Sequence, residues 1–257
     1  ELGAEVVCTG IEPDGFNINR EGGSTHPDAI CDLVRECGAD VGMAFDGDAD
    51  RVVLVDKQGR LVDGDGILFV LSQYRYQSGD CKGLVGTLMT NLGVEVACQQ
   101  KGIEFVRANV GDRFVLEELL ARNWTLGGET SGHILSLDRS TTGDGLVAAL
   151  AVLEVMQVAD SSLADLVEGL QIFPQELINV SVDHSNPSEL LTDPRICESV
   201  SSCERQLDAR GRVVLRASGT EPVIRVMVEG EDATSVVKLA RGLADEIVSA
   251  AGSAPGG

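Results

Sequence analysis

The sequence predicts an α/β fold of mixed-sheet domains, followed by a smaller α+β piece at the C-terminal end. Short apolar runs alternate with helix-periodic segments up to about residue 175, and glycine and proline punctuate them at short intervals. After about residue 180 the rhythm changes to two strands joined by a tight loop and flanked by helices, the pattern of a small domain on its own core.

In chain order, residues 5–8 read as a strand. Thr25-His26-Pro27-Asp28 opens a helix, because proline suits a first turn, and the apolar face of that helix is Ile30, Leu33, Val34 and Cys37. Strands over 41–45 and 52–56 follow, then the polar turn Lys57-Gln58-Gly59-Arg60. Gly64-Asp65-Gly66 leads into a helix carrying Ile67, Leu68, Val70 and Leu71. The alternation continues with a strand over 84–89, a helix near 91–100, a strand over 104–108 and a helix over 112–121. Strands over 124–126 and 133–137 come next, then a helix over 144–158 with no charge between Asp144 and Glu154, which is expected to be covered on several sides. Residues 181–187, rich in Ser, Asp and Pro, mark a linker or strand exit. The last piece is expected as a helix over 194–207, a strand over 212–216, a loop over 217–222, a strand over 223–228 and a helix over 232–248. The expected division is an incomplete α/β domain over 1–60, an α/β domain over 61–178, an α+β domain over 179–250 and a disordered tail over 251–257. Glu1 to Cys8, without an initiator Met, reads as the end of a helix, a turn and a strand, so the chain is expected to be entered in the middle of a domain.

Composition narrows the function. With 20 Lys+Arg against 41 Asp+Glu, the net charge of -21 repels polyanions, so nucleic acid is excluded as a bulk partner. Any phosphorylated ligand must then be met by a local group of arginines, backbone N–H groups or a metal. Aromatic content of 4 % argues against base-stacking surfaces and against a carbohydrate cleft paved with rings. Seven cysteines without a C-x-x-C pair suit a reducing compartment and read as small buried hydrophobes, and three His without ligand spacing to Cys argue against a structural zinc. No apolar run of membrane-spanning length and no leader pattern occurs, so the expectation is a cytoplasmic protein with no membrane partner.

Three segments carry chemistry. In Phe45-Asp46-Gly47-Asp48-Ala49-Asp50-Arg51, three carboxylates at i, i+2 and i+4 follow an apolar strand, and Gly47 and the small Ala49 let the chain curl so that Asp46, Asp48 and Asp50 converge on one hard cation, magnesium by default. Arg51 directly after them is placed to hold a phosphoryl group that the metal also touches. In Gly127-Gly128-Glu129-Thr130-Ser131-Gly132-His133, the glycines allow a tight loop in which Glu129 and Ser131 can hydrogen-bond sugar hydroxyls or an amine, while His133 transfers a proton or only orients one. In Arg216-Ala217-Ser218-Gly219-Thr220-Glu221-Pro222 with Arg225, a glycine-containing turn, two hydroxyls and two guanidiniums form an anion nest that fits one phosphate. It lacks the Lys and the length of a nucleotide P-loop, which disfavours ATP. Together the segments describe a small phosphorylated polyol held at one end while a phosphoryl group is handled at the other. None of them holds an activated nucleophile, so spacing alone leaves hydrolase, kinase and mutase open.

The same segments resemble the α-D-phosphohexomutase superfamily, and Pro13-Asp14-Gly15-Phe16-Asn17-Ile18-Asn19 with Gly23-Ser24-Thr25 is most similar to its bacterial phosphoglucosamine mutase branch. The resemblance runs through essentially the whole chain. It implies four domains around a cleft, residues 1–60 being the C-terminal part of the second and 61–178 the third. It implies a magnesium-dependent isomerase that interconverts glucosamine 6-phosphate and glucosamine 1-phosphate through a phosphoserine enzyme and a bisphosphate intermediate. Asp46, Asp48 and Asp50 would bind magnesium, Arg51 would contact the phosphoserine, Glu129 and Ser131 the sugar, and Arg216, Ser218, Gly219, Thr220 and Arg225 the phosphate that does not react. His133 is the candidate for proton transfer. The serine nucleophile belongs to a first domain upstream of Glu1, so this chain alone is expected to be inactive and to need that domain in cis. Thr130 stands where the branch often has Gln and is expected to change little. A phosphomannomutase or phosphoglucomutase and a non-catalytic phosphosugar-binding protein are the alternatives, and a homodimer is left open.

Overall fold

The structure, a computed structural model, describes residues 3–20, 22–182, 186–208, 210–218 and 221–252. Two compact units divide the chain at Gln171 and Ile172.

The first unit opens with residues 4–9, which lie exposed and outside any strand; the expected strand over 5–8 therefore does not form, since alternation without a hydrogen-bonded neighbour makes no sheet. Helix α1 (Asp28–Cys37) starts after Pro27 and ends on Gly38 in the left-handed conformation. It packs Cys31 and Val34 on Val55 of an antiparallel meander formed by β1 (Val41–Phe45), β2 (Val52–Asp56) and β3 (Leu61–Val62). Strand β2 is buried along its whole length, with Val52 and Leu54 joining the main core. Next come α2 (Gly64–Gln77), β4 (Gly83–Thr87), α3 (Leu92–Lys101), β5 (Glu104–Ala108), α4 (Asp112–Arg122), β6 (Leu126–Gly128), β7 (Ile134–Ser136), α5 (Gly145–Ala159) and α6 (Leu163–Val167). Their sheet runs β5-β4-β6-β7; β4 is parallel to both neighbours, and β6 and β7 form an antiparallel edge pair. Both faces are covered, as a parallel sheet requires. Leu84 and Leu126 meet Ile67, Leu68 and Val152 in the main cluster, while neighbouring Val85 turns to Val115, Leu119 and Trp124.

Two expectations change here. Helix α5 is as apolar as its sequence suggests, but Leu146, Leu150 and Val158 remain exposed; only the side bearing Ala148, Ala149, Val152 and Val155 is buried. Among the cysteines, Cys31, Cys81, Cys98 and Cys203 are buried and Cys8, Cys37 and Cys197 exposed, so three do not behave as core residues.

The second unit comprises β8 (Gln175–Ser181), α7 (Pro187–Leu190), α8 (Pro194–Leu207), β9 (Gly211–Ala217), β10 (Val223–Gly230) and α9 (Ala233–Gly252). Its antiparallel sheet has the order β8-β10-β9 and sets Val180, Ile224, Val226 and Val228 against Val236, Ala240, Leu243 and Ile247 of α9 and Ile196 of α8. Strand β8 is continuous across the expected domain edge at 178/179, because residues Gln175 to Ser181 all pair with β10. Ala251 and Gly252, expected in a tail, complete α9; residues 253–257 lie outside the described residues.

Candidate functional site

The acidic loop turns at the end of β1. Ala49, not Gly47, takes the left-handed conformation, with φ of 59°. The turn is closed by the Ala49 N–H donating to the Asp46 carbonyl at 3.2 Å and the Arg51 N–H donating to Asp46 Oδ1 at 3.1 Å. From the α5 terminus, the Gly145 N–H donates to the Ala49 carbonyl at 2.9 Å. A Cβ at Gly47 would meet only the exposed Ile18 side chain, at 3.0 Å, so the turn does not hinge on glycine there. So folded, Asp46, Asp48 and Asp50 offer one oxygen each within 4.8 Å of one another. Arg51 Nε lies 3.8 Å from Asp46 and 3.9 Å from Asp50, near enough to moderate the repulsion without a direct hydrogen bond. Asp50 Oδ1 is buried and accepts no hydrogen bond among the described residues. Three converging carboxylates with an orphaned buried oxygen fit a hard divalent cation.

The segment from Glu129 to His133 is a turn between β6 and β7. The Glu129 N–H donates to the His133 carbonyl at 3.0 Å and the Gly132 N–H to the Glu129 carbonyl at 2.9 Å, leaving Ser131 exposed at the tip. Gly132 has φ of 93°, and a Cβ would fall 2.1 Å from the Val52 carbonyl oxygen, so the loop needs glycine where it crosses β2. Gly127 and Gly128, expected in the loop, are strand residues of β6. Glu129 Oε1 accepts from the Gly111 N–H at 3.0 Å, a contact from the start of α4 that its sequence does not announce.

His133 joins the two loops. Its backbone bridges Arg51, the Val52 N–H donates to the Gly132 carbonyl at 3.1 Å, and its Nδ1 lies 3.0 Å from Asp50 Oδ2. His133 is buried, 5 % exposed, with Gly143 against the far side of its ring. The acid triad, Arg51, His133 and the Glu129–Ser131 turn thus belong to the first unit and are joined by direct contacts.

Arg216, Ser218 and Arg225, expected to meet a phosphate, belong to the second unit. Arg216 on β9 and Arg225 on β10 stand directly opposite in antiparallel register. Burial, and after it the charge of Arg225, pushes the Arg216 guanidinium pKa below its usual value. Arg225 Nε is buried without a hydrogen-bond partner among the described residues. Ser218 follows β9 and donates its N–H to the Val223 carbonyl at 2.8 Å; Gly219 and Thr220 lie outside the described residues. Paired, partly desolvated guanidiniums favour a bound anion.

Models of the phosphoglucomutase/phosphomannomutase family match nearly the whole chain: α/β/α domain II at residues 1–59, α/β/α domain III at 63–173 and the C-terminal domain at 177–246. The chain belongs to this family of phosphohexomutases. Among curated relatives, the phosphoglucosamine mutase of Halorhodospira halophila is 53 % identical over 252 residues, covering 98 % of the chain and 55 % of the relative. That of Legionella pneumophila strain Corby is 50 % identical over 248 residues, covering 96 % and 54 %. The chain therefore spans about half the length of these curated relatives. Solved structures share the fold. A phosphoglucomutase/phosphomannomutase family protein from Burkholderia thailandensis aligns with a TM-score of 0.72 at 21 % identity, covering 90 % of the chain and 50 % of its own. An Aspergillus fumigatus N-acetylphosphoglucosamine mutase, in complex with GlcNAc-6P and magnesium, aligns with 0.70 at 20 %, covering 88 % and 56 %. No helix among the described residues is long and apolar enough to cross a membrane.

Proposed function

We propose that these residues form the metal-, sugar- and phosphate-binding part of a cytoplasmic phosphoglucosamine mutase, which interconverts glucosamine 6-phosphate and glucosamine 1-phosphate through a phosphoserine and a bisphosphate intermediate. The observation that carries this reading is the junction at His133, which ties an acid triad fit for a cation to a turn presenting Glu129 and Ser131. The names of the curated relatives, of whose length the chain spans about half, supply the amine sugar.

Asp46, Asp48 and Asp50 would hold magnesium, the ion present in the Aspergillus fumigatus complex. When bound, that ion offsets charge on the transferring phosphoryl group. Arg51, half-exposed beside the triad, supplies a guanidinium to phosphoryl oxygens. Glu129 and Ser131 bind and orient the sugar, the Glu129 carboxylate being steadied by the Gly111 N–H and suited to an ammonium group. The buried ring of His133, turned to Asp50, favours orienting that carboxylate over moving a proton to or from the sugar. Arg216, Ser218 and Arg225, with Gly219 and Thr220, anchor the phosphate that does not react, and the bisphosphate must reorient between the two transfers. The phosphoryl-carrying serine comes from a first domain of the same polypeptide, so these residues alone give no turnover.

Calorimetric titration of the chain with magnesium present, by glucosamine 6-phosphate and separately by glucose 6-phosphate, tests the reading. Tighter binding of the amine sugar, lost in Glu129→Gln, is expected; equal binding of the two sugars would return the assignment to the hydroxyl-sugar mutases.

A further inference from the structure

Asp65 is a buried carboxylate, 2 % exposed, with no place in the chemistry above. It sits in the first turn of α2, behind the recognition turn. Its Oδ1 accepts from the Thr130 hydroxyl at 2.9 Å, and its Oδ2 accepts from the Asn91 N–H at 2.8 Å. Asn91 closes the turn after β4, and that turn is itself fixed by Arg107, whose Nη1 donates to the Thr87 carbonyl at 2.9 Å and the Thr90 carbonyl at 2.6 Å. Next to Asp65, the Gly64 N–H donates to the Thr130 carbonyl at 3.1 Å. A Cβ on Gly64 would lie 2.0 Å from the Glu129 carbonyl oxygen and 2.7 Å from the Gly132 nitrogen. The backbone of residues 129–132 therefore rests on the bare start of α2, and the side chain between Glu129 and Ser131 is tied from behind to a buried acid.

We propose that Asp65 and Thr130 are positioning residues for substrate recognition: the hydroxyl-to-carboxylate bond sets the turn so that Glu129 and Ser131 present their polar groups together. Thr130 is thus not the idle neighbour that its place between two recognition residues suggests. A carboxylate enclosed in protein holds a hydroxyl donor more tightly than water does, and removing the donor leaves a buried acceptor short of a partner. Two different elements, α2 and the turn after β4, then control the geometry of a third. The inference rests on the reading of Glu129 and Ser131 as sugar contacts.

The test compares the chain with Thr130→Val, which keeps the shape and removes the hydroxyl, and with Thr130→Ser, which restores it; Glu129→Gln is the control for the reading itself. Asp65→Asn, which keeps an acceptor oxygen but removes the charge, is expected to give a smaller loss than Thr130→Val. Amide hydrogen exchange over residues 128–133, affinity for glucosamine 6-phosphate and affinity for magnesium are measured on each. Thr130→Val is expected to speed exchange in the turn and weaken sugar binding about tenfold, with magnesium affinity nearly unchanged and Thr130→Ser recovering both losses. Unchanged exchange in Thr130→Val overturns the inference. So does a loosened turn that binds sugar as before while Glu129→Gln does not. If the parent binds no sugar, or Glu129→Gln binds as the parent does, the recognition reading fails and takes the inference with it.

Discussion

The acid loop of the first unit and the arginine pair of the second solve the same problem with opposite signs. Each gathers like charges that repel one another: three carboxylates within 4.8 Å in one, two guanidiniums in direct cross-strand register in the other. The means differ. The carboxylates sit on a turn held by backbone bonds, by α5 and by a buried histidine, so their geometry depends on several elements. The arginines stand on neighbouring strands, where the ladder sets them opposite one another. Like charges held together cost stability until an opposite charge arrives.

The largest effect is expected from removing the positive pair. Arg216→Met with Arg225→Met should lower affinity for a sugar phosphate at least about 100-fold, since charge-assisted contacts to phosphate are lost. The melting temperature of the second unit should hold or rise, because repulsion is removed; a marked loss of stability would mean that the pair is structural. Binding is read by calorimetry and stability by thermal denaturation.

Next comes the acid triad. Magnesium at about 100 times its Kd should stabilise the first unit by about 2.7 kcal/mol and leave the second unmoved. Asp50→Asn should abolish that gain, and His133→Ala should weaken magnesium binding about tenfold, as expected for a residue that orients a ligand. Differential scanning calorimetry with and without the metal separates the units; a gain that survives Asp50→Asn would place the cation elsewhere.

The smallest effect concerns Asp63, the cap of α2, which accepts from the N–H groups of Asp65 at 3.1 Å and Gly66 at 3.2 Å. Burial raises its carboxyl pKa above the usual 3.8. The folded state then holds the proton more firmly than the unfolded chain, so the contribution of Asp63 to stability is full below 3.8 and is lost as pH rises through the folded-state pKa. Asp63→Asn keeps a capping oxygen without the charge. It should be more stable than the parent at neutral pH by about 1 kcal/mol or less, with the advantage shrinking as pH falls. Urea denaturation over that range checks the sign.

Much of this was legible in residue order. Pro27 opens α1 as expected, and α8 spans the expected residues 194–207. The acid triad was legible because alternate carboxylates after an apolar strand converge through one local turn. The two-residue β3 and the four-residue α7 were missed, as were α6 and β8, because short or evenly mixed segments carry too little period to declare themselves. Asp65 looked like an ordinary helix-start acid, and the Gly111 contact with Glu129 leaves no mark in sequence, because both depend on distant segments meeting.

The sequence by itself determined the class of fold and the sign and spacing of the charged clusters, matters of local sterics and charge. Only the tertiary structure decided that Ala49 takes the strained turn position, that His133 is buried against Asp50, and that α2 forms the seat of the turn at residues 129–132. Each of these is set by contacts between residues far apart in the chain, whose energies exist only once the core has brought them together.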